Sequence, residues 1–512
     1  MGVELVLIIL ILVCGFYVAW NIGANDVANA MGTSVGSGAL TLRRAVILAA
    51  IFEFAGAYIV GSNVSKTVRK GIFDPLEIAN SGFYTPEHAP YILACGMIAA
   101  LLAAGTWLLI ATCMSWPVST THSIVGAVVG FGCVSLGFSG ILWDQVGLIS
   151  AGWVISPMIS ATVAYVVFGI LLKTVFYKKN PVAAARRVAP KLVFVLMFVM
   201  TGMTCYKGLK PLWKKWEMDP KDPGFMLMVV GVAILLGAIG FVITKFSLRN
   251  FESGSEEGED SESKTNPLLD ADVSRSLAKT IKHLRRVRNQ SSGDMEAKVT
   301  ELLTETEALQ DTALEQITTN TDSDDLRKVE KIFSVLQIFT ACLVAFAHGS
   351  NDVANAIGPL SAAFQAVQDR EILAKSVTPN WALLLGGVGI IIGLATWGWK
   401  VIKTVGEKIT ELTPSRGFCA EFAAAITILL ASVLPIGLPI STTHTLVGAV
   451  LGVGLARGIN ALNLKTMQQI VAGWAITIPA GAGLCVVFYF ILKLIFIDSG
   501  WIDTIPPLEV PQ

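Results

Sequence analysis

Long apolar runs dominate this chain, and they set its architecture. A helix needs about 20 consecutive apolar residues to cross the hydrocarbon core of a bilayer. Runs of that kind predict spans near 4–28, 45–62, 92–114, 117–136, 146–172, 191–207, 225–246, 333–357, 382–402, 418–436, 439–456 and 470–496. The runs beginning at 117 and 439 open on a proline and a hydroxyl cluster, so each reads as a re-entrant or broken helix. The expected fold class is all-α, a polytopic membrane protein with about 12 transmembrane segments. The apolar rhythm stops between Phe246 and Ile332. There, 251–262 is Ser, Gly, Glu and Asp and reads as disordered, whereas 267–289 and 295–318 carry the mixed three and four spacing of short amphipathic helices.

Composition agrees with a membrane protein: 512 residues, 53% hydrophobic, 15% charged, with a mean hydropathy of +0.64. The charge balances, 38 basic against 38 acidic residues, which leaves no long basic surface for nucleic acid. Eight cysteines lie scattered in apolar segments without metal-ligand spacing and read as small hydrophobes. The first 20 residues lack a basic leader and a small-residue cleavage site, so they are expected to form the first span. If the spans alternate, Arg43, Arg44, Lys173, Lys178, Lys179, Arg186, Arg187, Lys245, Arg249, Lys400, Lys403, Lys408, Arg416, Arg457 and Lys465 share one side, which should be cytoplasmic. Both termini are then expected outside, the loop 249–332 in the cytoplasm, and the protein in the plasma membrane.

The chain repeats itself. Residues 23–32, Gly-Ala-Asn-Asp-Val-Ala-Asn-Ala-Met-Gly, return at 349–358 as Gly-Ser-Asn-Asp-Val-Ala-Asn-Ala-Ile-Gly. Lys66-Thr67-Val68 is echoed by Lys403-Thr404-Val405. Pro-Val-Ser-Thr-Thr-His at 117–122 recurs as Pro-Ile-Ser-Thr-Thr-His at 439–444, and Ala-Gly-Trp at 151–153 recurs at 472–474. Four matches in one order mean duplication. The expected division is a first transmembrane repeat (1–190), a linking hairpin (191–248), a hydrophilic loop (249–332) and a second repeat (333–512). Seven crossings separate the two repeat starts, and an odd number turns the second repeat upside down. Inverted repeats place substrate and coupling ions near the midplane.

Asp26 and Asp352 are acids at membrane depth, which by default marks function. With Asn29 and Asn355 and backbone unwound at the neighbouring glycines, they offer a hard oxygen shell suited to sodium. Ser119, Thr120 and Thr121, and their copies Ser441, Thr442 and Thr443, stand at helix starts. Unpaired N–H groups and hydroxyls there suit an oxyanion without any basic residue. No Lys or Arg occurs at 1–42, 71–172, 332–369 or 417–456. An anion beside these acids is repelled by about 4 kcal/mol per close pair at an effective dielectric near 20, so bound cations must offset it. That is an obligatory symporter in outline. Glu53 and Glu421 are further span acids without repeat counterparts, since Ile390 and Ala99 stand opposite them. His122 and His444 follow the hydroxyl clusters and are expected to set them by hydrogen bonding, whereas His348 has Ile22 opposite it. Trp153 and Trp474 read as packing residues.

These paired Gly-(Ala/Ser)-Asn-Asp-Val-Ala-Asn-Ala and Pro-(Val/Ile)-Ser-Thr-Thr-His motifs resemble the inorganic phosphate transporter (PiT) family of sodium-coupled phosphate symporters. The resemblance covers both membrane halves and excludes the loop near 250–330. It implies a twelve-span inverted-repeat carrier of inorganic phosphate and Na+, with no cofactor and no enzymatic activity. On that resemblance Asn25, Asp26, Asn351 and Asp352 match the blocks that ligate ions and substrate. The two Ser-Thr-Thr clusters match the phosphate cradles, and Glu53 and Glu421 look like the family's transport-essential glutamates. Met-Gly-Thr-Ser-Val-Gly-Ser-Gly at 31–38 looks more like sodium-coupled members. Some relatives use protons or move sulfate, so H+ and sulfate stay open as alternatives. A non-transporting phosphate receptor with the long loop as its output is the reading from another class, and a channel is third. The lipid bilayer is a partner by construction, and a second copy of the chain, as a homodimer, is a candidate one.

Overall fold

The computed structural model describes residues 2–61, 72–208, 213, 216–219, 222–249, 277, 280–281, 283–289, 291–320, 324–373, 378–402, 412–433, 440–457 and 464–505. Within them the helices are α1 (Val3–Asn25), α2 (Val27–Gly36), α3 (Leu42–Val60), α4 (Leu76–Asn80), α5 (Ala89–Cys113), α6 (Thr120–Leu136), α7 (Trp143–Leu171), α8 (Pro181–Met203), α9 (Pro223–Ser247), α10 (Asp294–Asn320), α11 (Asp324–Asp369), α12 (Asn380–Trp397), α13 (Pro414–Val433), α14 (Thr442–Arg457) and α15 (Leu464–Lys493). Each predicted span coincides with one of them. Nine helical stretches among the described residues are long and apolar enough to cross a membrane. The 17 residues of α6 and 16 of α14 give lengths of about 26 and 24 Å, short of a hydrocarbon core of about 30 Å. The repeated motifs at 66–68 and 403–405 lie outside the described residues, as do 251–262 and the prolines before α14.

The chain forms two compact units. The first comprises 1–168, 196–236 and 334–512, and the second 169–195 and 237–333. In the second unit α10 buries Val299 and Leu303, and Arg285 pairs with Glu307 at 2.8 Å. This bears out the amphipathic reading of 295–318.

In the first unit the two sequence halves are interleaved. Helix α1 packs on α5 and on α12 of the other half, while α15 packs on α5 and α6. Glycines make these crossings close. A Cβ on Gly23 would overlap the carbonyl oxygen of Ile390, and one on Gly349 that of Glu53. Gly23 and Gly349 are repeat partners, and so are Ile390 and Glu53, so α1 meets α12 as α11 meets α3. The pattern recurs at Gly126 and Gly130 against Ile478 and Ala482 of α15, and at Gly448 and Gly452 against Pro157 and Ala161 of α7. Small residues that admit a second backbone are the ordinary device of helix association in lipid, where apolar contact alone drives nothing.

This packing corrects one expectation. The glycines flanking the site acids do not unwind the chain. Asp26 interrupts α1 and α2 by a single residue whose N–H still reaches Ile22 O at 2.8 Å, and α11 runs unbroken through Gly349 and Asp352. Close helix crossing, not freed carbonyls, is what those glycines provide.

Candidate functional site

Asp26 sits where α1 passes into α2, and Asp352 sits within α11. Both side chains are buried, each 1% exposed. The starts of α6 and α14 are aimed at them. Ser119 and Ser441 cap those helices, accepting from the backbone N–H of His122 at 3.3 Å and of His444 at 3.1 Å. The next residue in each cluster reaches an acid. Thr120 Oγ1 donates to Asp26 Oδ2, and Thr442 Oγ1 donates to Asp352 Oδ2 at 2.7 Å.

The third hydroxyl crosses between halves. Thr121 Oγ1 donates to Ile440 O at 3.2 Å, and its repeat partner Thr443 lies 3.2 Å from Val118 O, the partner of Ile440. Thr443 shares its proton with Asp26 Oδ1, 3.0 Å away. The starts of the two short helices therefore meet through exchanged hydrogen bonds, and the two Ser-Thr-Thr clusters and both aspartates form one cluster.

The asparagines brace it. Asn25 Nδ2 donates to Thr112 Oγ1 at 3.0 Å and to Trp116 O at 3.1 Å, while its oxygen accepts from Val118 N at 3.4 Å. With its amide turned to satisfy both ends, Asn351 donates to Ile440 O at 3.2 Å and Asp352 Oδ1 at 3.1 Å, and accepts from Ser432. Asn355 Nδ2 donates to Thr121 Oγ1 at 3.2 Å, leaving its buried Oδ1 without a partner among the described residues. The side chain of Asn29 lies outside the described residues.

The pseudo-symmetry fails at His348. Its Nδ1 is 2.8 Å from Glu53 Oε2 and its Nε2 is 2.8 Å from Asp352 Oδ2, which links Glu53 to the site through one imidazole. The Asp26 side has Ile22 and Ile390 at these positions and carries no such link. Ligand atoms of Asp26, His348 and Asp352 all lie within 4.8 Å of one another. Two buried carboxylates this close together are hard oxygen donors that fit a cation, with His348 bracing Asp352 from the side.

Glu421 stands apart, in a pocket of neutral donors. Its Oε1 accepts from Thr33 and Ser34 at 2.6 Å each and from Gln337 Nε2 at 3.1 Å, and its Oε2 accepts from Thr340 at 2.6 Å. Thr33 and Ser34 belong to the 31–38 stretch noted in the sequence, but no role was assigned to them, and Gln337 and Thr340 were not singled out. The signal was there for the last two: Gln337 and Thr340 are polar residues three apart in an otherwise apolar run, on one helix face.

The histidines after the clusters differ from expectation. Their backbone N–H groups fix the serine hydroxyls, while the rings pack against each other and the two tryptophans, with only the His444–Trp474 pair stacked. His122 lies 3.9 Å from Trp153 and 4.3 Å from His444, and His444 lies 3.5 Å from Trp474, between ring centroids. His444 Nδ1 is also 3.3 Å from Trp153 O. That carbonyl lies one helical turn before Pro157, which has no N–H to offer it.

Two acids and six hydroxyl-bearing residues at the meeting of two short helix starts, deep within a helical membrane protein, define the class: a polytopic carrier with a buried polar site. Comparison with known proteins gives the family. The Phosphate transporter family pattern matches residues 22–485, and this chain belongs to that family. It is 42% identical over 492 residues to a putative phosphate permease of Chlamydia pneumoniae, covering 96% of this chain and 99% of that one. It is 40% identical over 487 residues to the chloroplastic inorganic phosphate transporter 2-1 of Arabidopsis thaliana, covering 94% of this chain and 72% of the relative. Among solved structures it resembles a sodium-dependent phosphate transporter, with a TM-score of 0.73 and 35% identity over 96% of this chain and all of that one. The protein is thus a multi-pass membrane transporter of phosphate and not an enzyme.

Proposed function

We propose that the chain imports inorganic phosphate together with sodium by alternating access, with the cluster around Asp26 and Asp352 as the shared site. The observation that carries this reading is the set of hydrogen bonds from Thr120, Thr442 and Thr443 to the two carboxylates. These hydroxyls are the donors an oxyanion would need, and the acids hold them. A cation bound by Asp26, Asp352 and Asn355 competes for the same carboxylate lone pairs. It releases the hydroxyls to phosphate and offsets the charge of the acids. Anion affinity then depends on the cation, which is coupling in its simplest form. Ser119, Ser441, Asn25 and Asn351 position the cradle, Asn29 is assigned to the cation only as the repeat partner of Asn355, and Glu53 and Glu421 act in the coupling steps.

The exchanged bonds of Thr121 and Thr443 support repeats of opposite orientation, and with them a carrier that rocks about its midplane. The start of α1 and the C-terminal segment share one end of the first unit, because Tyr91 and His88 at the start of α5 reach Glu4 and Asp503. This supports both termini on one side of the membrane; that this side is the outside of the plasma membrane, with 249–332 in the cytoplasm, rests on the Lys and Arg asymmetry. The deciding experiment is radiolabelled uptake into proteoliposomes under a sodium or a proton gradient, with phosphate or sulfate inside the competition series. Sodium-driven, phosphate-selective uptake is expected. Uptake indifferent to both gradients sinks the coupling, and uptake driven by protons alone replaces sodium.

A further inference from the structure

At one end of the first unit an ion pair between Glu4 and Arg370 ties the two repeats together. Glu4 lies in the first turn of α1, the helix that leads to Asp26. Arg370 follows the last residue of α11, the helix that carries Asp352. The guanidinium meets the carboxylate as a fork, Nε to Oε1 at 2.6 Å and Nη2 to Oε2 at 2.9 Å. Tyr91, in the first turn of α5, donates to the same Oε1 at 3.0 Å. Both charged side chains are only partly exposed, at 22% and 29%. Two parallel charge-assisted bonds fix orientation as well as distance, which a surface lysine pair does not.

The backbone marks the same spot. Arg370 has φ of 53°, the left-handed region that glycine normally takes after a helix end. A side chain placed there is strained relative to glycine, so the position keeps an arginine at a cost in local conformational energy. Sequence spacing adds a second observation. Glu4 stands 22 positions before Asp26, and Glu330 stands 22 before Asp352. Arg370 stands 18 positions after Asp352, and Arg44 stands 18 after Asp26. Each site aspartate is thus bracketed by the same acid and the same base. The surroundings of the two arginines differ, since Arg44 belongs to the first turn of α3 and Arg370 lies past the end of α11.

We infer that the Glu4–Arg370 fork is a state-dependent clasp. It is closed in this conformation and must open before the site is exposed at that end, while Arg44, the repeat counterpart of Arg370, favours the opposite conformation. The inference rests on the alternating-access reading above. In a carrier whose repeats exchange conformations, a contact joining the first helix of one repeat to the end of the first helix of the other cannot persist in both states. Its repeat-related residues then bias the equilibrium the other way.

The test is phosphate half-saturation measured from each face of oriented proteoliposomes, in wild type, Glu4→Gln, Arg370→Gln, Arg370→Lys, Arg44→Gln and the charge exchange Glu4→Arg with Arg370→Glu. Neutralising either clasp residue should lower the half-saturation at the clasp face and raise it at the other, about three- to tenfold. Arg370→Lys, which keeps the charge and loses the fork, should fall between. Arg44→Gln should shift both faces in the reverse sense, and the charge exchange should return values towards wild type. Equal changes at both faces, no change in a folded variant, or an exchange variant as perturbed as the single ones overturns the clasp. Absence of sodium-driven uptake in wild type would instead strike the transport reading.

Discussion

Neutralising Asp26 separates the cation chemistry of the site from its packing. Asp26→Asn keeps the shape of the side chain, and the hydroxyls of Thr120 and Thr443 can accept from an amide as readily as they donate to a carboxylate. With ligand atoms within 4.8 Å, Asp26 and Asp352 repel one another by about 3.5 kcal/mol at an effective dielectric near 20. The substitution removes that repulsion, so the ion-free variant should be more heat-stable than wild type. It also removes one carboxylate's attraction for a cation roughly 4 Å away, about 4 kcal/mol on the same scale. In affinity this is up to on the order of a thousandfold. The two effects have opposite signs, and that makes the experiment decisive. Thermal unfolding of the purified protein is followed against sodium concentration, and sodium titration of phosphate uptake is run beside it. A variant that is less stable without ions, or that keeps the wild-type sodium dependence of stability, refutes the assignment of Asp26 to the cation.

Two further outcomes follow from packing and from Glu421. Gly349→Ala places a methyl against the carbonyl of Glu53 and should lower heat stability by about 1–3 kcal/mol or more, while Gly483→Ala, which meets nothing within 4 Å, should be neutral or slightly stabilising; equal effects would disprove the close crossing. Glu421→Leu takes the acceptor from Thr33, Ser34 and Gln337, while Thr340 keeps the carbonyl of Gln337, and should cost about 3 kcal/mol or more by thermal unfolding. Glu421→Gln should retain most of the stability and lose uptake, so a fully active Gln variant would remove Glu421 from coupling.

The spans were legible because lipid forces every backbone polar group into a helix, so hydropathy alone places them. The motif residues were legible because they occur twice. What the sequence withheld is what lies between halves. Thr121 and Ile440 are 319 residues apart, and nothing in either motif says that one bonds the other. His348 was visible as an asymmetry, yet its place between Glu53 and Asp352 depends on how α3 crosses α11 at Gly349. The unwinding expected at the glycines was wrong because glycine signals two things, backbone freedom and closeness. Only the position of Glu53 O and Ile390 O decides which applies.

The interleaving of the halves also sets a waiting time during synthesis. Asp26 enters the membrane with the first helix, but one of its hydroxyl donors, Thr443, lies 417 residues further on. At ordinary elongation rates of about 5–20 residues per second, that interval is roughly 20–80 s. Throughout it a carboxylate, the glycine faces of α1 and the acid of α3 stand in the membrane without the backbones and side chains that later cover them. The nascent first half is therefore a client for whatever shields polar helices during insertion, and a chain truncated before α14 should be recognised as unfinished by cellular quality control.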